Sequence, residues 1–341
     1  MGRLSVFLLA TAAAGLHGCC YCDDDDDSGW DPCPELVSVA PEPDSVEVET
    51  QRVVVRWSRR AEQISLVLLD ASGEVVAGEL SSSSGGTVLT FSPSAPFAPR
   101  ATYVATASAD CGDEITWSFT TSALGLPMDD PQSLVGATFA LRPAAGDVAG
   151  EPDNALFSLM NGPLLMAVLP VADFDVGPIH LLTAASIDFA GPNQDLCLAT
   201  AVVTAGPDAV VGTSDDLSAI WTDPELALTQ ASTATVQMNG EPALLSDIEM
   251  TLTFHPEASS FRAASFSATV DVRAVPPFSG GGAGGSLCAQ IQEYWGAPCA
   301  VCGDGVAACV SVSATEVPGQ RVDVAILERS ESEIAADPNC Q

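Results

Sequence analysis

Ile115-Thr116-Trp117-Ser118-Phe119-Thr120-Thr121 places an apolar side chain at alternate positions, so one face suits a core and the other suits water. This is the pattern of a half-buried β-strand. Working back towards the N-terminus, similar short segments occur at Glu35–Ala40, Val46–Glu49, Arg52–Trp57, Ile64–Leu69, Thr87–Phe91 and Thr102–Ala107. Asp70-Ala71-Ser72-Gly73 reads as a turn, and Ser81–Gly86 as a flexible hairpin loop. So many short strands between residues 34 and 122 predict an immunoglobulin-like β-sandwich.

Several stretches here resemble the bacterial Ig-like domain of S-layer and other cell-surface proteins. They are Val39-Ala40-Pro41 with Asp44-Ser45-Val46, Val53-Val54-Val55-Arg56-Trp57-Ser58, and the run from Leu69 to Gly78. Further on come Thr87-Val88-Leu89-Thr90-Phe91-Ser92-Pro93, Pro96-Phe97-Ala98-Pro99-Arg100-Ala101-Thr102-Tyr103 and Trp117-Ser118-Phe119-Thr120-Thr121. The resemblance implies a spacer or interaction module at the cell surface. The loop before the last strand, Ser108 to Glu114, is shorter than the family's and holds Cys111. Tyr103 enters its strand after Pro99-Arg100-Ala101-Thr102, where a ring can fill the core while its hydroxyl bonds backbone at the corner.

Residues 123–131 carry Gly, Pro and acids without period and read as a linker. Beyond it, Thr138–Arg142, Ala155–Leu159, Leu164–Pro170, Ile179–Phe189, Leu196–Val203, Ala231–Met238, Ile248–His255 and Phe266–Val275 read as strands. Met250-Thr251-Leu252-Thr253-Phe254 shows the one-sided pattern most clearly. The fold class is therefore all-β: the sandwich is followed by a second antiparallel sandwich or barrel over 132–278. A Gly/Ser spacer, 279–286, leads to a Cys-rich tail, 287–341, that completes the second domain. In the tail, Ser286 caps a predicted helix Leu287–Trp295 that stops at Gly296, and strands are expected at Val306–Ala314 and Val322–Leu327.

At the other end, Met1 to Gly18 has a positive charge at Arg3, an apolar run from Leu4 to Leu16 and a small residue before a cysteine. This is an export signal, too short to span a bilayer. Leu16-His17-Gly18-Cys19 resembles the lipobox of bacterial lipoproteins, which implies cleavage before Cys19 and attachment of lipid, palmitate included, to that cysteine. Acyl chains contribute ~0.8 kcal/mol per buried methylene, so several on one cysteine anchor a protein to a membrane without a spanning helix. Cys20 at the next position implies, by analogy with lipoprotein sorting, the outer membrane. Residues 19–33 form an acidic tether, because the adjacent carboxylates of Asp23 to Asp27 repel one another.

Charge narrows the partners. Arg supplies all 11 basic residues against 45 acidic ones, a net charge of −34, so nucleic acid is excluded as a partner. A protein or glycan partner at the cell surface is compatible. Eleven cysteines point to an oxidising compartment, and ten remain once Cys19 is set aside. Cys33 and Cys111 fall next to the first and last strands of the sandwich, which suggests that pair, while the pairing of Cys288, Cys299, Cys302 and Cys309 stays open. Zinc binding by the tail lacks ribbon spacing, and Cys299-Ala300-Val301-Cys302 precedes a turn at Gly303-Asp304-Gly305 rather than a helix.

Gly206 to Asp216 is the candidate metal loop. Asp208, Asp215 and Asp216 could supply part of a calcium shell, and the run resembles Asp-Gly-x-x-Gly-Thr-x-Asp-Asp loops of bacterial surface proteins, with Ala209 for the first glycine. No other cofactor is implied. His180 and His255 are far apart beside apolar segments, and no nucleophile elbow, phosphate loop or His-Glu-x-x-His is present. The sequence thus points to a non-enzymatic, lipid-anchored envelope protein. The alternatives are a secreted hydrolase with a carboxylate site in the second domain, and a calcium-stabilised glycan- or protein-binding module.

Overall fold

The computed structural model describes residues 33–340 except 62, 110–113, 149, 161, 171–173, 175–178, 188–190, 206–220, 229–232 and 279–285. The first domain is a two-sheet sandwich of β1 (Leu36–Ala40), β2 (Ser45–Val48), β3 (Val53–Trp57), β4 (Ser65–Leu69), β5 (Gly78–Ser83), β6 (Val88–Pro93), β7 (Thr102–Ser108) and β8 (Ile115–Thr121). One sheet runs β1-β3-β6-β5, the other β2-β8-β7-β4. The alternation that predicted the strands fills the space between the sheets. Val53, Val55 and Trp57 from β3 meet Tyr103, Ala105 and Ala107 from β7 and Trp117 and Phe119 from β8, all buried.

The predicted corner is present. The Tyr103 ring lies 4.7 Å from Phe97 and 5.6 Å from Phe119, and its hydroxyl accepts the Ala98 N–H at 2.9 Å. One local expectation fails: Ser81–Ser83 is strand, not loop. These residues pair with Thr90, Leu89 and Val88 at the sheet edge, and the turn shrinks to Ser84–Gly86. Every side chain of β5 is exposed, so no apolar alternation marked it.

The second domain comprises β9 (Thr138–Leu141), β10 (Asp147–Val148), α1 (Asp153–Ser158), β11 (Leu164–Val168), β12 (Ile179–Ala185), β13 (Ala201–Ala205), β14 (Trp221–Thr222), β15 (Glu225–Leu228), β16 (Ala234–Met238), β17 (Glu241–Phe254) and β18 (Ser260–Asp271). Then come α2 (Leu287–Trp295), β19 (Ala300–Val301), β20 (Ala307–Val322) and α3 (Glu331–Ala336). Its sheet runs β13-β12-β11-β9-β20-β18-β17-β15-β14, and curls until β12 packs against β16 as a half-barrel. The inner face is one core, with Phe139, Phe254 and Phe261 within 5.3–5.6 Å of one another.

Four expectations are corrected here. Of the expected strand Ala155–Leu159, residues 155–158 are helical within α1 and Leu159 caps it, because adjacent Leu156 and Phe157 are both buried, which a helix face allows and a half-buried strand does not. The strand expected from Leu196 starts at Ala201, since Asp195 turns the chain by accepting the Cys197 N–H at 2.9 Å. β20 runs straight through Pro318 and Gly319 to Val322 instead of ending at Ala314. Val322–Leu327 is consequently no separate strand: Val322 ends β20, and with Ile326 beyond it packs against Ala140, Leu165 and Ala184. There Gln194 clasps the Leu327 backbone at 2.7 and 2.8 Å.

The segment joining the domains is packed. Ala123, Leu124 and Met128 are buried, the Gly125 N–H donates to the Phe254 carbonyl at 3.3 Å, and the Met128 N–H donates to the Asp223 carboxylate at 2.9 Å.

Candidate functional site

The tail cysteines occupy the end of the half-barrel. Ser286 accepts the Ala289 N–H at the start of α2, and Gly296 ends it at φ 69°, a conformation only glycine adopts freely, as the sequence predicts. Buried Gln290 accepts the Phe278 N–H at 2.7 Å and ties the helix to the segment that follows β18. Cys288 bonds Cys299, and Cys302 bonds Cys309. The two cysteines of Cys299-Ala300-Val301-Cys302 thus pair away from each other, and in this state none of the four has a thiolate for a metal or a redox step. Cys197 bonds Cys340, a pair the sequence did not single out, across 143 residues. Cys33 is disulfide-bonded.

Next to the Cys302–Cys309 bridge lies a cleft of 440 Å³ lined by Leu244, Asp247, Asp271, Arg273 and Asp304, among others. Arg273 pairs with both Asp271 and Asp304. The Arg273 hydrogen bond holds the Asp271 carboxyl below its ordinary value; the Val306 N–H, then Arg273, do the same for Asp304. Both are therefore ionised at neutral pH and neither serves as a proton donor there, which a glycosidase pair requires of one member.

A second cluster joins the domains. Ser260 Oγ donates to Glu49 Oε1 at 2.7 Å, and the Arg262 guanidinium donates to the Glu49 main-chain carbonyl. Arg262 Nε sits 3.0 Å from Glu316, and Arg52 pairs with Asp147. Glu316 is at φ 55° on β20, a left-handed conformation inside a strand whose register with β18 is the same on either side of it. Burial raises its carboxyl pKa, against the opposing pull of Arg262 and Arg52. No sequence pattern marked this cluster, because its members come from separate loops and strands.

The leader 1–18, the lipid site Cys19 and most of the 19–33 tether lie outside the described residues, as do Cys111, most of the Gly/Ser spacer and the calcium candidates Asp208, Asp215 and Asp216. Among the described residues no group of three or more His, Cys, Asp or Glu is placed to hold a metal. No helix among them is long and apolar enough to cross a membrane.

Residues 31–121 match the bacterial Ig-like domain family. The match begins just before Cys33, takes in all eight strands of the first sandwich and ends with β8, so the half-barrel falls outside it. No curated protein matches the chain. Among solved structures, the methionine-rich copper resistance protein PcoC from Escherichia coli is 22% identical over 27% of this chain and 100% of its own, with a TM-score of 0.24. CopC from Methylosinus trichosporium OB3b is 20% identical over 26% and 93%, at 0.23. An L,D-transpeptidase from Mycobacterium smegmatis is 15% identical over 41% and 76%, at 0.21. Likenesses at these scores extend no property to this chain.

Proposed function

We propose that this chain is a non-enzymatic, lipid-anchored protein of the bacterial cell envelope, in which the Ig-like domain carries the half-barrel and presents it at the outer surface. The observation that carries this reading is the bacterial Ig-like domain at residues 31–121, set directly behind an acidic tether and the Leu16-His17-Gly18-Cys19 motif. Ig-like sandwiches are rigid modules whose two ends are far apart, which suits a spacer. The disulfides of the second domain accord with an oxidising compartment. The excess of carboxylates favours a protein or glycan partner and disfavours nucleic acid.

The deciding experiment is the intact mass of the N-terminal peptide of the mature protein, purified from a membrane fraction of a bacterial host. A peptide beginning at Cys19 and carrying acyl chains is expected, and Cys19→Ser is expected to leave the protein uncleaved at that point and without lipid. An unmodified N-terminus at any residue overturns the anchor.

A further inference from the structure

Two-domain chains ordinarily flex at the joint unless the interface is large and apolar. This joint is polar, yet its contacts run in both directions. From the half-barrel, Ser260 and Arg262 reach into the Ig-like domain and hold the Glu49 carboxylate and main-chain carbonyl. From the Ig-like domain, Arg52 reaches out to Asp147 on β10. Charges alternate across the junction: Arg262 stands between Glu49 and Glu316, and Arg52 faces both Asp147 and Glu316. The Arg262 side chain is 12% exposed, so its pairing is little screened by salt. Gly125 and Met128 pin the connecting segment to β17's end and to Asp223.

We propose that Glu49, Arg52, Asp147, Ser260 and Arg262 form a reciprocal latch that holds the Ig-like domain and the half-barrel in one fixed orientation. Two contacts donated in opposite directions, together with a pinned connector, resist both swinging and twisting, which one pair does not. The left-handed backbone at Glu316 is part of the device. Within β20, whose register with β18 is the same on either side, Glu316 stands with its half-buried carboxylate 3.0 Å from Arg262 Nε, so that this guanidinium is fixed before it meets Glu49. The half-barrel and the Ig-like domain are then presented as one rigid body. Domain orientation does not depend on lipidation at Cys19, so the mass measurement above and the experiment below fail separately.

The test uses the full chain and the double variant Glu49→Ala/Arg52→Met, which changes only Ig-like loop residues and leaves the half-barrel's sequence intact. Amide hydrogen exchange at Gly125 and Met128 is expected to be slow in the parent and about ten-fold or more faster in the variant. Small-angle scattering is expected to change from one compact particle to a broadened distribution. Arg262→Met provides an independent arm with the same expected direction; were it to misfold, the loop variant still decides. Unchanged exchange and scattering in Glu49→Ala/Arg52→Met, with both domains folded, overturn the latch. So does a parent chain whose scattering requires many orientations.

Discussion

Gly319 offers the most direct check on the half-barrel. It lies on β20 opposite Phe261 on β18, and a Cβ built there would meet the Phe261 ring at 2.2, 2.4 and 2.5 Å. Its φ lies outside the left-handed region, so alanine suits the backbone and the effect of Gly319→Ala is the collision alone. The ring cannot simply withdraw. Phe261 is 1% exposed and is held by Phe139 at 5.3 Å and Phe254 at 5.5 Å. Overpacking of a tight core costs roughly 1–3 kcal/mol, and with neighbours fixed on both sides we expect the upper end, about 3 kcal/mol. Denaturant unfolding of the half-barrel measures the loss. Phe261→Leu alone costs about 1–2 kcal/mol through the space it opens, but the double variant should recover most of the Gly319→Ala loss, giving a strongly non-additive cycle. Stability within about 0.5 kcal/mol of the parent for Gly319→Ala, or additivity in the cycle, would refute the packing.

Removing the Cys197–Cys340 bridge by Cys197→Ser/Cys340→Ser releases a loop of 143 residues and should cost about 2–5 kcal/mol in denaturant midpoint analysis. Tyr103→Phe keeps the ring and removes the acceptor for the Ala98 N–H, so thermal unfolding of the Ig-like domain should show a loss of about 1–2 kcal/mol, and none if the corner bond is absent. Burial raises the Glu316 carboxyl above 4.5 in the folded chain, so this group disfavours folding progressively as pH rises from 4.5 through the folded value. Glu316→Gln lacks that slope, and its stability relative to the parent should improve across the window and then level; a relative decline contradicts the assignment.

Legibility in the sequence followed the physics of each element. Trp117 and Phe119 announced β8 because one of its faces is buried and the other wet, and that alternation is what a period-two reading detects. β5 has no buried side chain, and its backbone pairing with β6 leaves no trace in residue type. In β20 the reverse held: Pro318 and Gly319 are turn residues by composition, but Gly319 is there to make room for Phe261, and Pro318 lies beside Arg262 in the pairing with β18. Ser286 and Gly296 bracketed α2 correctly because capping is a local matter. Glu49, Arg52, Asp147 and Arg262 were invisible as a group, since only the docking of two domains brings them together.

The arginines make a common point. A chain with a net charge of −34 has carboxylates to spare and few cations, so each guanidinium placed in contact with an acid is a local choice against a repulsive background. Those in described ion pairs sit where parts of the molecule must be kept together. Arg52 and Arg262 stand at the domain junction, Arg273 ties β18's end to the turn beside the Cys302–Cys309 bridge, and Arg329 holds Asp337 at 2.9 Å near the Cys197–Cys340 bridge. In two of the three places a disulfide stands alongside. The domain junction has none among the described residues; there Arg262 is the least exposed of these arginines at 12%, while Arg52, at 37%, is more exposed than Arg329 at 20%. At Arg262 burial does what a covalent bond does elsewhere: it withholds water from the guanidinium and makes an unpaired charge costly, which keeps Glu49 engaged.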